Sequence, residues 1–212
     1  MDEFVQIHRD QQISQCKKAL KYRGFHVDVA ENKEELLDLV NAYIKDKDHV
    51  SDGGSQTLKE CGIIASLNKR NIRFHSHSDA SMTREESDLE SRNAFFSDVF
   101  LMSANAITMQ GEIINVDGHG NRVSAMIFGP KKVLIIAGYN KIVWDEDAAK
   151  KRIQTISAPT NCLRLHRQTP CAVTGACQDC HSKDRICSSY VKLSHDNEQR
   201  IHVILVKEIL GY

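Results

Sequence analysis

The sequence has no long apolar run, no excess of charge and no leader-like N-terminus. None of its apolar runs approaches the roughly 20 residues that a membrane-spanning helix needs, so we expect no membrane span. Its 28 Lys and Arg residues balance 28 Asp and Glu residues, and no basic stretch is dense enough to predict nucleic-acid binding. Residues 1–10 lack the basic and then apolar pattern of a secretory signal. These absences together predict a cytoplasmic protein.

Length and composition are those of an ordinary globular domain. The chain has 212 residues, of which 41% are hydrophobic and 26% are charged, so it can bury a full hydrophobic core. We expect residues 1–212 to form a single domain. Residues 1–24 are predicted to form an N-terminal helix, because Ile13, Cys16 and Leu20 recur on one helical face and Gly24 suits a helix end.

Helical and strand patterns alternate in the first half of the chain. Residues 56–67 are predicted to form one helix, and Thr83 with Glu86 has the spacing of a capping box that opens another. Asp145 is predicted to cap a later helix, whose first turn is acidic and whose later turns are basic, as the helix dipole favours.

A β-rich block occupies the middle of the chain. Residues 99–107, 112–116 and 122–128 are predicted to be strands, with a glycine-rich turn at 117–121. The run VLIIA at residues 133–137 contains no polar residue, which is typical of a parallel strand buried on both faces. The order of elements predicts an α/β fold with three layers, in which helices flank a mixed, mostly parallel sheet.

Four of the seven cysteines fall in one polar segment, with the spacing C-x5-C-x2-C-x6-C. They are Cys171, Cys177, Cys180 and Cys187, within a cysteine-rich loop predicted over residues 160–190. An odd number of cysteines cannot all pair within the chain, and a reducing compartment disfavours disulfides. Because thiols in a polar loop gain little from apolar burial, shared coordination of a metal is the better explanation.

The spacing leaves the identity of the metal open. Four Cys thiolates at varied spacing are typical of an iron–sulfur cluster, which is the first expectation. Structural zinc usually shows two C-x2-C pairs, and here only Cys177 and Cys180 form one, so zinc is the alternative. Unliganded or redox-active thiols are the third reading. His166 and His181 are interpreted as ordinary loop residues, and Cys16 and Cys61 as core residues.

A second candidate site is the segment Asp52-Gly-Gly-Ser-Gln-Thr, between a predicted strand and a predicted helix. Backbone N–H groups at a helix start attract phosphate or carboxylate, and hydroxyl groups add donors. We therefore expect Gly53, Gly54, Ser55 and Thr57 to bind an anion. The alternative is a plain strand-to-helix turn in which Ser55 is only an N-cap.

A third candidate site surrounds the glycine-rich turn. Asn121 and Arg122 follow that turn, where a guanidinium could bind the same anion as the 53–57 segment. Glu112 stands at a strand start and is the candidate general base or nucleophile. The alternative is a hairpin with an exposed charge at each end.

Four segments resemble the lactate utilization (LUD) domain family, most closely its LutC/YkgG-like branch: GGSQTL, the block at 101–143, the cysteine segment at 169–190 and RIHVILVKEILGY at 200–212. The resemblance implies an α/β fold of the sugar-isomerase and CoA-transferase-like (NagB/RpiA) superfamily. It also implies a role in the oxidation of lactate to pyruvate, together with iron–sulfur partner subunits. The cysteine segment matches a cysteine-bearing branch of the family. No catalytic residue follows from the resemblance.

Two kinds of function are therefore expected, and they use different sites. In the first, the protein is an accessory or electron-transfer component of organic-acid oxidation, with an iron–sulfur cluster in its cysteine segment. In the second, it is a small-molecule enzyme of isomerase or CoA-transferase type that binds a small anionic metabolite at the 53–57 segment. A third reading is a ligand-binding protein with a structural zinc loop. The sequence leaves open whether the chain is an enzyme.

Overall fold

The structure, a computed structural model, describes residues 2–78 and 81–212, and these residues contain two β-sheets. The strands are β1 (His26–Ala30), β2 (His49–Asp52), β3 (Arg73–Ser76), β4 (Val99–Met102), β5 (Ala106–Thr108), β6 (Ile113–Asp117), β7 (Lys132–Gly138), β8 (Ile142–Val143), β9 (Ser189–Leu193) and β10 (Ile201–Val206).

Nine α-helices accompany the strands in the described part of the chain. They are α1 (Glu3–Tyr22), α2 (Lys33–Tyr43), α3 (Gln56–Glu60), α4 (Ile63–Leu67), α5 (Arg84–Asn93), α6 (Asn121–Ile127), α7 (Glu146–Arg152), α8 (Ala158–Arg164) and α9 (Pro170–Thr174). A π-helical turn at Ile153–Ser157 joins α7 to α8, so the chain stays helical through this whole stretch. No helix among the described residues is long and apolar enough to cross a membrane.

The larger sheet has six strands in the order β1, β10, β7, β4, β2, β3, and all of its strand pairs are parallel. Strand β7 lies inside it, between β10 and β4. Residues 133–137 are fully buried, which confirms the central strand predicted from the VLIIA run. Helices cover both faces of this sheet, so the predicted three-layer α/β class is also confirmed.

The side chains of β7 alternate between two hydrophobic cores. Val133 and Ile135 pack in one core with α1, α6 and the inner strands of the second sheet. Leu134 and Ile136 pack in the other with α2, α3 and α4. Each such buried side chain contributes on the order of 1.5–3 kcal/mol. Apolar packing therefore covers both faces of this strand.

The smaller sheet, which the sequence analysis does not foresee, has the strand order β8, β5, β6, β9. Strand β6 pairs antiparallel with both β5 and β9, and β8 pairs parallel with β5. Ile107 and Ile113 face the six-stranded sheet. The opposite face packs against α7, the π-helical turn and α8, with Cys187 at its margin. The second sheet thus separates the large sheet from the cysteine segment.

The predicted strand at residues 122–128 is wrong, because this segment forms helix α6. Gly120 takes a left-handed φ of 81° directly before it, and Val123 and Met126 are buried at helical spacing. The alternative reading of a hairpin around residues 117–121 fails for the same reason.

Two other predicted elements are divided. Residues 99–107 supply β4 of the large sheet and β5 of the small one, with a break at residues 103–105. The single helix predicted over 56–67 is two short helices, α3 and α4, because Gly62 adopts a φ of 70° between them.

Gly111→Ala should destabilise the fold far more than Gly62→Ala. Both glycines have left-handed φ angles, 80° and 70°, so either substitution strains the backbone by about 1–2 kcal/mol. A Cβ at Gly111 would also lie 2.5 Å from the carbonyl carbon of Ala19 in α1, whereas one at Gly62 meets nothing within 4 Å. In urea unfolding we expect a loss of about 3–5 kcal/mol for Gly111→Ala. Equal losses for the two variants would contradict the packing of α1 on this turn.

Candidate functional site

The strand order of the large sheet reverses direction between β2 and β4. The chain runs from β2 outward to β3, and β4 then returns to the other side of β2, followed by β7 and β10. In open parallel sheets, ligands bind outside the carboxyl ends of the strands at such a reversal. The 53–57 segment follows β2 and residues 103–105 follow β4, so the predicted anion segment lies at this point.

Hydrogen bonds inside the protein fix the two glycines of this segment. The Gly53 N–H donates to the carbonyl of Leu101 at 2.9 Å, and the Gly54 N–H donates to Oδ1 of Asp52 at 2.7 Å. Burial raises the pKa of the Asp52 carboxyl, while the bond from Gly54 opposes this shift. Ser55 occupies the N-cap position of α3 without a side-chain capping bond. The glycine amides thus shape the turn, and anion binding by the segment stays a prediction.

Arg122 lies against this segment, as the sequence analysis expects. A Cβ on Gly53 would lie 2.8 Å from Cγ of Arg122, so only glycine permits this approach. The guanidinium, however, donates to protein oxygens within 3.2 Å, and Nε lies 3.5 Å from the carboxylate of Asp117. The acceptors are the carbonyls of Ser103 and Val116 and the side-chain oxygens of Asn105 and Asn115. Arg122 therefore ties the ends of β4 and β6 together.

Lys141, which is not among the predicted site residues, lies at the same end of the sheet. It follows β7 and is only 2% exposed. Its Nζ donates to Oγ1 of Thr57 at 3.1 Å and to Oγ of Ser103 at 2.9 Å, so it joins the segments after β2 and β4. Burial, and then the charges of Arg152 and Arg122, lower its pKa to about 7. Its place just after a fully buried parallel strand is the sequence signal that points to it.

Arg152 completes a group of buried cations. Its Nε donates to the carbonyl of Asn140 at 3.1 Å, and its Nη1 donates to the carbonyl of Asn105 and the hydroxyl of Ser157, both at 2.8 Å. None of these acceptors is a carboxylate. The sequence predicts for Arg152 only a favourable interaction of its positive charge with the dipole at the end of a helix. In the structure it connects helix α7 to the loops that follow β4 and β7.

Glu112 and Asn121 contact residues outside the group formed by the 53–57 segment, Arg122 and Lys141. The Glu112 carboxylate lies 3.7 Å from the guanidinium of Arg23 and 3.9 Å from Nζ of Lys192. Asn121 donates to the hydroxyl of Ser91 on α5 at 3.3 Å. Glu112 thus sits in an ion-pair cluster between the end of α1 and β9, which is an arrangement that stabilises packing. A catalytic role for it stays a prediction.

Five cysteines, and not four, lie at the far side of the second sheet. Cys162 on α8 and Cys171 on α9 are buried, and their sulfur atoms are 3.7 Å apart. Burial raises the pKa of Cys162 to about 11, and the neighbouring sulfurs of Cys171 and Cys187 add to this rise. Cys162 lies nine residues before the predicted motif, which is why the spacing argument does not include it.

The other three cysteines are half-buried and electrostatically linked. Burial raises the pKa of Cys187, Arg185 opposes the shift, and Cys177 and Cys180 reinforce it. Arg185 donates to the carbonyls of Cys180 and Cys187, at 2.6 and 3.1 Å, which closes this part of the segment into a compact turn. Cys16 and Cys61 belong to the two cores, as expected.

The donor set is compatible with a metal, although the side chains are not arranged as a complete site. In the described part of the chain, no three His, Cys, Asp or Glu side chains are grouped closely enough to hold a metal ion. The 3.7 Å between the sulfurs of Cys162 and Cys171 is nevertheless close to the separation of two thiolates on one tetrahedral metal ion. Bonds of about 2.3 Å place such sulfurs about 3.8 Å apart.

Arg122→Met should destabilise the fold strongly, because it removes the cation beside the Asp117 carboxylate and the hydrogen bonds to the carbonyls of Ser103 and Val116. Removal of one partner of a buried ion pair costs about 3–5 kcal/mol. Arg84→Met, at the exposed start of α5, is the matched control and should change stability by about 0.5 kcal/mol or less. Thermal and urea unfolding measure both. A loss for Arg122→Met no larger than the control's would contradict its role at the strand ends.

Comparison with known proteins gives a family for this chain. The LUD domain model matches residues 13–206. A crystal structure of a DUF162 family protein from Deinococcus radiodurans has the same fold, with a TM-score of 0.55 at 12% identity over 93% of this chain and 98% of that one. The eIF2B beta structure from Chaetomium thermophilum gives a TM-score of 0.38 at 13% identity over 54% and 40%. No curated protein matches. Since the family match covers most of its length, the chain belongs to the LUD domain family.

Proposed function

We propose that this LUD-domain protein is an accessory, electron-transfer component of organic-acid oxidation, the conversion of lactate to pyruvate, and that its cysteine segment holds a metal–sulfur centre. The family supports a role in lactate utilization. The observation that carries the finer proposal is the mutual influence of these thiols: Cys187 interacts electrostatically with Cys162, Cys177 and Cys180, and the sulfur of Cys171 lies 3.7 Å from that of Cys162.

The chemistry of these thiols supports a bound metal. Burial favours the neutral thiol at Cys162 and Cys187, and neighbouring thiolates would repel one another. A metal ion removes both penalties, because coordination deprotonates the thiol and the cation neutralises the charge. The backbone supports the segment, since the Cys177 N–H donates to the carbonyl of Gln154 in the π-helical turn at 2.9 Å.

Two centres use these residues differently. An iron–sulfur cluster would take Cys171, Cys177, Cys180 and Cys187 and would supply one-electron transfer when bound. A structural zinc ion would take the close pair of Cys162 and Cys171 among its four ligands and would supply folding energy only. The iron–sulfur centre is the proposal, because it gives the segment a part in an oxidation. Iron–sulfur partner subunits would then exchange electrons with it.

Metal and acid-labile sulfide analysis of protein purified without oxygen tests this proposal. The wild-type chain should contain stoichiometric iron and sulfide, and Cys180→Ser should lose both while the domain stays folded. Cys61→Ala, in the core beside α4, is the control and should keep both. Zinc without sulfide would contradict electron transfer. The absence of any stoichiometric metal would contradict the metal centre altogether.

A second candidate function is a small-molecule enzyme of isomerase or CoA-transferase type with an anionic substrate. The observation in its favour is the position of the 53–57 segment and Lys141 at the reversal point of the parallel sheet. One variant distinguishes the two candidate functions. Turnover of a carboxylate substrate by an enzyme of this kind should survive Cys180→Ser, whereas electron transfer should not.

A further inference from the structure

The carboxyl end of the large sheet carries two buried cations that form no ion pair in the described part of the chain. Neither Lys141 nor Arg152 makes an ion pair with any carboxylate among residues 2–78 and 81–212, and both are less than 10% exposed. Buried charges are normally paired, because burial of an isolated charge costs several kcal/mol. Arg122 already has Asp117 as its partner. Lys141 is thus a buried cation that an anion would stabilise.

Several hydrogen-bond donors converge on one point beside Gly211. A Cβ built on Gly211 would contact Oγ1 of Thr57 and would lie 3.4 Å from the backbone N of Thr57 and 3.5 Å from Nζ of Lys141. Because Lys141 donates to that hydroxyl, the Thr57 O–H is free to donate elsewhere. An amide, a hydroxyl and an ammonium therefore lie beside Gly211, and with Gly211 moved away they would be suited to a carboxylate oxygen.

We propose that Lys141, Thr57 and Ser103 bind the carboxylate group of a small organic acid at the carboxyl ends of β2, β4 and β7. Lys141 supplies the charge and Thr57 the directed hydrogen bonds. Ser103 holds the ammonium in place through its 2.9 Å contact. Lys141 is the cation that lies beside Gly211, whereas Arg152 donates to Asn105, Asn140 and Ser157, and one positive charge suits a single negative charge better than a dianion. The inference rests on the second candidate function, an anionic ligand at this end of the sheet, and does not depend on what the cysteine segment holds.

Residues 209–212 cover this site and must move for a ligand to enter. The Gly211 N–H donates to the carboxylate of Glu60 at 2.8 Å. The Asn140 side chain accepts from the Leu210 N–H at 3.1 Å and donates to the Gly211 carbonyl at 3.4 Å. These three hydrogen bonds hold residues 209–212 over the site, and two of them are made by the side chain of Asn140, the residue next to Lys141. Removal of the cover exposes the donors that face Gly211.

Carboxylate binding at Lys141 should be linked to proton uptake. The charged groups that act on Lys141 are Arg152 and Arg122, which lower its pKa, and Glu60 and Cys61, which raise it. Its pKa of about 7 means that the free site is charged below pH 7 and neutral above it. A bound carboxylate raises that pKa. Binding should therefore be tightest below pH 7 and weaken by up to about tenfold per pH unit above it.

Isothermal titration calorimetry with pyruvate as the probe tests the proposal, at pH 6 and pH 8 and in two buffers of different ionisation heat. We expect saturable one-to-one binding, with uptake of about one proton at pH 8 and almost none at pH 6. Inorganic phosphate is the comparison anion. Phosphate binding without pyruvate binding would contradict the carboxylate assignment, and no saturable binding of either would contradict the site.

Two substitutions of Lys141 distinguish a role of its charge in binding from a structural role of its side chain. Lys141→Gln should abolish pyruvate binding, and Lys141→Arg should bind without proton uptake, because its charge is permanent. Lys151→Gln, an exposed charge beside Arg152, should behave as the wild type. Unchanged binding by Lys141→Gln, or proton uptake by Lys141→Arg, would overturn the proposal. If Lys141→Gln does not fold, the test is the pH titration of the 13Cε resonance of Lys141 in the wild type. Pyruvate must move the midpoint of that titration upward.

Discussion

Burial of the central strand on both faces is the constraint on which the rest of this structure depends. Alternate side chains of β7 point into two separate cores. Helices and a second sheet must therefore cover the large sheet from both sides. The buried charged residues Asp52 and Lys141 then lie at the end of β2 and just after β7. The parallel arrangement brings the ends of β2, β4 and β7 to one edge, where the buried cations gather. The fold thus creates the candidate anion site without any loop dedicated to it.

Arg152 links this edge to the cysteine segment. Its guanidinium bonds to the loops after β4 and β7, and also to Ser157 in the π-helical turn. The same turn accepts the backbone N–H of Cys177 through Gln154, and α8 beyond it carries Cys162. One continuous helical stretch therefore contacts both candidate sites. This stretch is a direct structural connection between the two candidate sites.

Local patterns predict the parts of the fold that local physics determines. The apolar run of β7, the capping box of Thr83 with Glu86 and the cap of Asp145 on α7 all stand as the sequence predicts. The second sheet could not be predicted, because its β6–β9 pairing joins residues such as Val116 and Tyr190, which are far apart in the chain. The sequence of helix α6 also has a strand-like pattern, because its apolar residues alternate as well as recur at helical spacing. The partners of Lys141 and Cys162 cannot be read from the sequence, because the fold brings them together from distant segments or from outside the cysteine motif.

The most direct test of the central claim, that the cysteine segment holds an iron–sulfur centre, is a crystal structure of protein kept free of oxygen, with anomalous diffraction at the iron and zinc edges. The account predicts an iron signal bonded to Cys171, Cys177, Cys180 and Cys187. A zinc signal at Cys162 and Cys171, or ordered free thiols with no metal signal, would contradict it.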